Sequence, residues 1–294
     1  MKLRDIPYLM WVAGLALIGC QQSNAPPTPA TLVEAPGPFE AQIDLDGRGA
    51  HIWCYGRGSP TVIYESWLGA LGESALPLII RVGSVMRVCV YDRANVPGGR
   101  SDAAPYPRTS LDMVDDLHLL LDRAHIPPPY LLVGDSFGAM NAILFAHKHR
   151  SEVTAVALIE PLAPGALTSM LAAIPPQTED ESPGVGHARR RIVGLLTNNS
   201  EGIDLTASEA QIRGIGRLDD LPVLILQAEF PLTDWLPCDG AAHIAVEQAW
   251  RRQQGFYSKL STRTSVVSIS GGHDLLGDDP DAVATAVRGL ITGK

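Results

Sequence analysis

The stretch Leu131-Leu132-Val133-Gly134-Asp135-Ser136-Phe137-Gly138-Ala139-Met140 decides the fold. A short apolar run ends in Gly-x-Ser-x-Gly, and a helix-compatible segment, 139–149, follows it. A strand that turns sharply into a helix at this pattern pushes one serine out at the top of a sheet. Such a turn is strained. Its flanks must be tiny, and Gly134 and Gly138 meet that need. The helix start behind the serine aims backbone N–H groups and a positive dipole end at the place where an oxyanion would form. The two glycines bracket Ser136 symmetrically, so the exposed apex is the serine and not Asp135.

Working outward, residues 130–133 are the strand that feeds this turn. Before it, 41–53 reads as a hairpin, and 61–64 and 85–91 read as buried strands. Segment 110–124 is amphipathic, with Leu111, Val114, Leu117, Leu120 and Leu121 on one stripe, and reads as a helix. After the turn, 153–159, 222–226 and 264–269 are apolar strands, and 283–291 closes as a helix. Strands alternating with helices predict an α/β fold: a mainly parallel sheet with helices on both faces. The rhythm breaks at about 161–220, where Ile174-Pro175-Pro176 and a polar run, 177–186, accompany two short helical stretches. That segment reads as a small helical cap over the mouth of the sheet.

A chain of 294 residues with 46% apolar content suffices for one sizeable α/β domain. The net charge of −9 and the absence of any basic run beyond Arg189-Arg190-Arg191 argue against a nucleic-acid surface. The triplet reads as a solvated helix face. No Cys or His spacing suggests zinc, and Asp278-Asp279-Pro280-Asp281 reads as a helix start and not a calcium loop. No metal is expected.

The amino terminus reads as a targeting segment. Lys2 and Arg4 precede an almost wholly apolar run, 6–18. The run falls short of the roughly 20 residues that span a bilayer and suits the core of a signal peptide. It ends in Leu17-Ile18-Gly19-Cys20, which resembles the lipobox of bacterial lipoproteins. The resemblance implies a signal peptide, 1–19, cleaved before Cys20, with Cys20 then acylated and anchored in a membrane. Gln21 follows in place of an Asp that would retain the protein at the inner membrane, which points to the outer membrane if the cell has two. The Pro-rich segment 20–38 reads as a tether, and 39–294 as the folded domain. The expected location is the cell envelope, lipid-anchored to a bacterial membrane.

Three further motifs carry a second resemblance. They are Gly58-Ser59-Pro60-Thr61-Val62, Glu65-Ser66-Trp67-Leu68-Gly69 and Arg87-Val88-Cys89-Val90-Tyr91-Asp92-Arg93-Ala94. With the Ser136 turn, they make the chain similar to the α/β-hydrolase fold serine hydrolases, exported members among them, from about 40 to 290. The resemblance implies hydrolysis of small-molecule esters without a cofactor. It makes Ser136 the nucleophile and His273, in Ser270-Gly271-Gly272-His273-Asp274, its general base. The acid follows one of two strands: Glu160 is favoured, with Asp234 and Glu229 as alternatives, since Pro231 stands where the family's Asp falls. The oxyanion donors would be the N–H of Phe137 and, in the Glu65 loop, that of Trp67. Relatives imply a Cys54–Cys89 disulfide, with Cys238 left free. A monomer is expected. The rival readings are a non-catalytic surface-binding lipoprotein on the same fold, or an acyltransferase.

Overall fold

The computed structural model describes residues 39–232, 235–236 and 238–292. These lie within one compact unit, Glu34–Lys294. The expected signal peptide, 1–19, Cys20 and the expected tether, 20–38, lie outside the described residues, and so does Asp234.

Eight strands form one sheet: β1 Phe39–Asp44, β2 Gly49–Tyr55, β3 Thr61–Glu65, β4 Val88–Tyr91, β5 Tyr130–Asp135, β6 Val153–Ile159, β7 Val223–Ala228 and β8 Thr264–Ile269. Their order is β1-β2-β4-β3-β5-β6-β7-β8. The hairpin β1–β2 and the β2–β4 pair are antiparallel; the neighbours from β4 through β8 are parallel. The central strands are unbroken apolar runs because both faces of a parallel sheet are covered. Successive residues serve opposite layers. Ile63 and Leu132 pack on one side with Leu117 and Phe145, while Val62 and Leu131 pack on the other with Leu78 and Val283.

The helices are α1 Leu76–Val82, α2 Ser110–Arg123, α3 Gly138–Lys148, α4 Ala166–Ala173, α5 Pro183–Thr197, α6 Leu205–Gly214, α7 Gly240–Gln254, α8 Leu275–Asp278 and α9 Pro280–Thr292. The capping box that starts α2 is Thr109 with Asp112: each side chain accepts from the other residue's backbone N–H. Cys54 and Cys89 face each other across β2 and β4 and are joined by a disulfide.

Three differences from the sequence reading have local causes. β4 begins at Val88 and not at 85, because Val85 sits exposed in the turn after α1. Three helices, α4 to α6, stand between β6 and β7 where two short ones were expected. The unpredicted α7 buries Ala242, Val246, Ala249 and Trp250, a stripe at helical spacing built partly from small residues and diluted by polar neighbours.

Candidate active site

The parallel strands end on one edge, and the predicted site residues gather there: Glu65 and Trp67 at the end of β3, Ser136 after β5, Glu160 after β6 and His273 after β8. Open α/β sheets bind ligands at this edge. Ser136 has a φ of +49°, in the left-handed region that a serine rarely occupies. Its N–H donates to Ile159 O and its carbonyl accepts from Leu162 N, at 2.9 Å each, so β6 and the loop after it hold the strained turn. The glycines are required by close approach. A Cβ on Gly138 would run into the carbonyl oxygen of Glu65 and come within 2.6 Å of its carbonyl carbon. One on Gly134 would lie 2.7 Å from Ala139 Cα.

His273 Nε2 lies 3.0 Å from Ser136 Oγ. The imidazole is held by two indoles: Trp235 stacks on it at 4.7 Å between ring centroids, and Trp250 meets it edge-on at 5.4 Å. Burial, and then the charge of Arg191, push the imidazole pKa down to about 3. The ring is therefore neutral at physiological pH and able to accept a proton. Ser136, Phe137, Trp67, Trp235 and His273 border a cavity of about 270 Å³ whose wall is otherwise mostly leucine.

The loop after β3 brings Trp67 to this cavity. Among the described residues, no acceptor engages the N–H of Trp67 or of Phe137. The carbonyls of the same loop are taken up by Arg93, which the sequence offers only as part of the 87–94 motif, with no role of its own. Arg93 Nη1 donates to Ser66 O at 2.7 Å, and Nη2 donates to Trp67 O at 2.8 Å. Its Nε and Nη2 also bond both oxygens of Glu201, at 2.8 and 2.7 Å, and Glu201 in turn accepts from Gly69 N. The guanidinium lies over the Phe137 ring at 5.7 Å. Arg93 thus braces both Trp67 and Phe137, the two residues expected to supply oxyanion donors. Glu65 lies beneath, fully buried, accepting from Tyr91 Oη and Asn141 Nδ2.

A family described as the alpha/beta hydrolase fold matches residues 58–208, a span that includes Ser136. The chain belongs to the alpha/beta hydrolase fold family. It is 25% identical to the uncharacterized protein YqjL of Bacillus subtilis (strain 168), over 85% of this chain and 90% of that one. Among solved structures, alpha/beta hydrolase domain-containing protein 10 from mouse superposes with a TM-score of 0.62 at 17% identity, covering 87% of this chain and 99% of that one. The carboxylesterase CesB from Bacillus subtilis gives 0.58 at 15% identity, covering 88% and 93%. At these identities the structural likeness establishes the fold, and family membership supports a hydrolase.

Within this hydrolase fold, Glu160 is not joined to His273. Its Oε2 accepts from Ala228 N at 2.6 Å and its Oε1 from Trp250 Nε1 at 2.5 Å. Trp250 therefore stands between the favoured acid and the imidazole, and His273 Nδ1 has no hydrogen-bond partner among the described residues. The carboxylate is bound instead to the end of β7 and to α7. Its burial raises the pKa to about 7 against the pull of those two donors. Glu229 is exposed, and its carbonyl accepts from Arg251. Of the three acids considered, Asp234 alone lies outside the described residues. The other histidines stay away from the cavity wall. His118 stacks on His149 and contacts Glu152, and His51 pairs with Glu40.

Asp135, beside the serine, accepts from Tyr64 Oη at 2.8 Å and is 2% exposed. Burial raises its pKa from 3.8 to about 8. The sign of its effect on stability follows. The unfolded chain ionises this acid near pH 3.8, while the folded chain keeps it protonated to about pH 8. Its contribution to stability is therefore full below pH 3.8 and is lost as the pH rises to 8. Asn at 135 can still accept from Tyr64 and never ionises. Asp135→Asn should be more stable than the parent at pH 8, by about 5 kcal/mol, and nearly level with it at pH 4. Denaturant unfolding at the two pH values checks this. An Asp135→Asn protein that lost stability with pH as steeply as the parent would contradict it.

Proposed function

We propose that this chain is a serine hydrolase that cleaves carboxylic esters through an acyl-enzyme on Ser136. The observation that carries the reading is the 3.0 Å contact between His273 Nε2 and Ser136 Oγ at a strained turn bordering a mostly apolar cavity. Ser136 Oγ attacks the ester carbonyl as its proton passes to His273 Nε2. The oxygen that becomes negative is received by the N–H groups of Phe137 and Trp67. Collapse of the tetrahedral adduct breaks the bond to the alcohol, which leaves with the proton from His273. A water then gives its proton to His273 and attacks the acyl carbonyl, releasing the acid and restoring Ser136. Helices α4 to α6 act as the cap, with Leu167 of α4, Leu195 of α5 and, in the loop after β6, Leu162 facing the acyl group. Acylation at Cys20 would hold this domain at a bacterial membrane through the 20–38 tether.

The test is a chain-length series of 4-nitrophenyl esters on the full chain, with Ser136→Ala as control. Saturable turnover that disappears in the control is the expected result. A folded parent protein that turns over none of the series overturns the reading.

Glu160→Gln separates two ways of supporting the imidazolium. Glu160 reaches His273 only through Trp250. The substitution should therefore leave kcat within about tenfold of the parent, far from the ~10⁴-fold loss that follows amidation of a carboxylate bonded directly to a catalytic histidine. Asp234→Asn is the companion variant. A loss of several orders of magnitude on Glu160→Gln alone would mean that Glu160 contacts His273 directly during turnover.

A further inference from the structure

The triplet Arg189-Arg190-Arg191, which reads as a solvated helix face in the sequence, divides into separate fates on α5. Arg189 is bound to Glu181 and to the carbonyl of Pro175. Arg191 borders the cavity over Ser136 together with Leu195, one helical turn further on. Among the described residues Arg191 forms no ion pair and no hydrogen bond, and it is the one fixed cation on the described wall of that cavity. Apart from Ser136, His273 and Asp274, the rest of the described wall is built of leucines, Phe137, Trp67 and Trp235, whose side chains carry no charge. The one carboxylate on the described wall of the cavity, Asp274, is engaged elsewhere, since it caps α8 by accepting from Gly277 N.

We propose that Arg191 anchors an anionic group on the substrate, so that the site prefers esters carrying a second, ionised carboxylate over neutral esters of the same shape. The proposal rests on the hydrolase reading of this same cavity. The chemistry follows from the guanidinium. It is charged at every working pH, and it offers a planar fork of donors that matches a carboxylate. Arg191 is exposed, so water screens it on its outer side, and its attraction for an anion is strengthened only where it faces the apolar wall of the cavity. Asp274 supplies direction, because its own charge repels a carboxylate from its side of the cavity. The charge of Arg191 already acts on His273, as its lowering of the imidazole pKa records. An anion bound to Arg191 would oppose that effect.

Two matched pairs test this, one for each side of the ester: monoethyl adipate against ethyl adipamate, and 5-acetoxypentanoate against 5-acetoxypentanamide. In each pair a carboxylate is exchanged for a primary amide of nearly the same size. In at least one pair, kcat/KM should favour the anion by about tenfold or more, mainly through KM. Arg191→Gln should bring that ratio close to one, and Arg191→Lys should restore part of it. Calorimetric titration of the same pairs into Ser136→Ala protein reads the preference without chemistry, and Arg191→Gln in that background should remove it. Equal binding within both pairs, or a preference that survives Arg191→Gln, overturns the proposal. If the preference in binding is present and depends on Arg191, but the parent turns over no ester, the anion site stands and the hydrolase reading fails.

Discussion

Ser136→Ala and His273→Ala are each expected to lower kcat/KM for an aryl ester by about 10⁴-fold or more, and the double variant should fall little further. The two side chains form one device. Ser136 Oγ is a weak nucleophile until His273 Nε2, 3.0 Å away, takes its proton, and the imidazole has no task here once the hydroxyl is gone. Losses that multiplied in the double variant would mean that the two residues act independently, contrary to this contact. The acid limb of the rate should also lie low. His273 is pushed down to about pH 3 by its burial between two indoles and by Arg191, so the free enzyme keeps a neutral base well below the usual histidine range.

The second large effect is expected at Arg93. This side chain is 3% exposed as a residue, and its fork holds Ser66 O, Trp67 O and both oxygens of Glu201. Arg93→Lys keeps the charge and loses the fork. The loop after β3 is then free to shift, and with it the Trp67 N–H that is proposed to receive the oxyanion. An oxyanion donor matters only in the transition state, so kcat should fall by about 10²-fold with KM little changed. Arg93→Ala goes further. It leaves Glu65 and Glu201, both fully buried, without their cation, and should cost about 3 to 5 kcal/mol of stability. A purely structural role would lower stability in both variants while sparing the kcat of whatever protein stays folded. Finding that pattern in Arg93→Lys would remove Arg93 from the account of catalysis.

Much of the fold was legible because its signals are local. The run that feeds Ser136 is apolar without alternation, as a strand covered on both faces must be, and its flanking glycines mark the turn. The hairpin, the positions of the strands and the amphipathic α2 were readable for the same reason. The site was legible only in part. Ser136 and His273 stand in recognisable local contexts, and the structure brings them together. What holds the loop opposite them could not be read locally: Arg93 and Glu201 are 108 positions apart, and nothing near Glu201 marks it as a partner. The same limit applies to Glu160. Its place at a buried strand end suggested contact with His273, but Trp250, from 90 positions further along, takes the carboxylate. The indole clamp on His273 also depends on Trp235 and Trp250, which follow a different strand from the histidine. The cap was the hardest segment, because its helices bury few residues each and pack through small side chains such as Ala166 and Ala188.

The most direct measurement is covalent labelling of the full chain with a fluorophosphonate, followed by peptide mass mapping, in native protein and in protein unfolded beforehand. Such a reagent phosphonylates a serine only when a base and an oxyanion site activate it. The account predicts one adduct, on Ser136, formed in native protein and absent after unfolding or in His273→Ala. Native, folded protein that stays unlabelled at Ser136, or that carries its adduct on another residue, would contradict it.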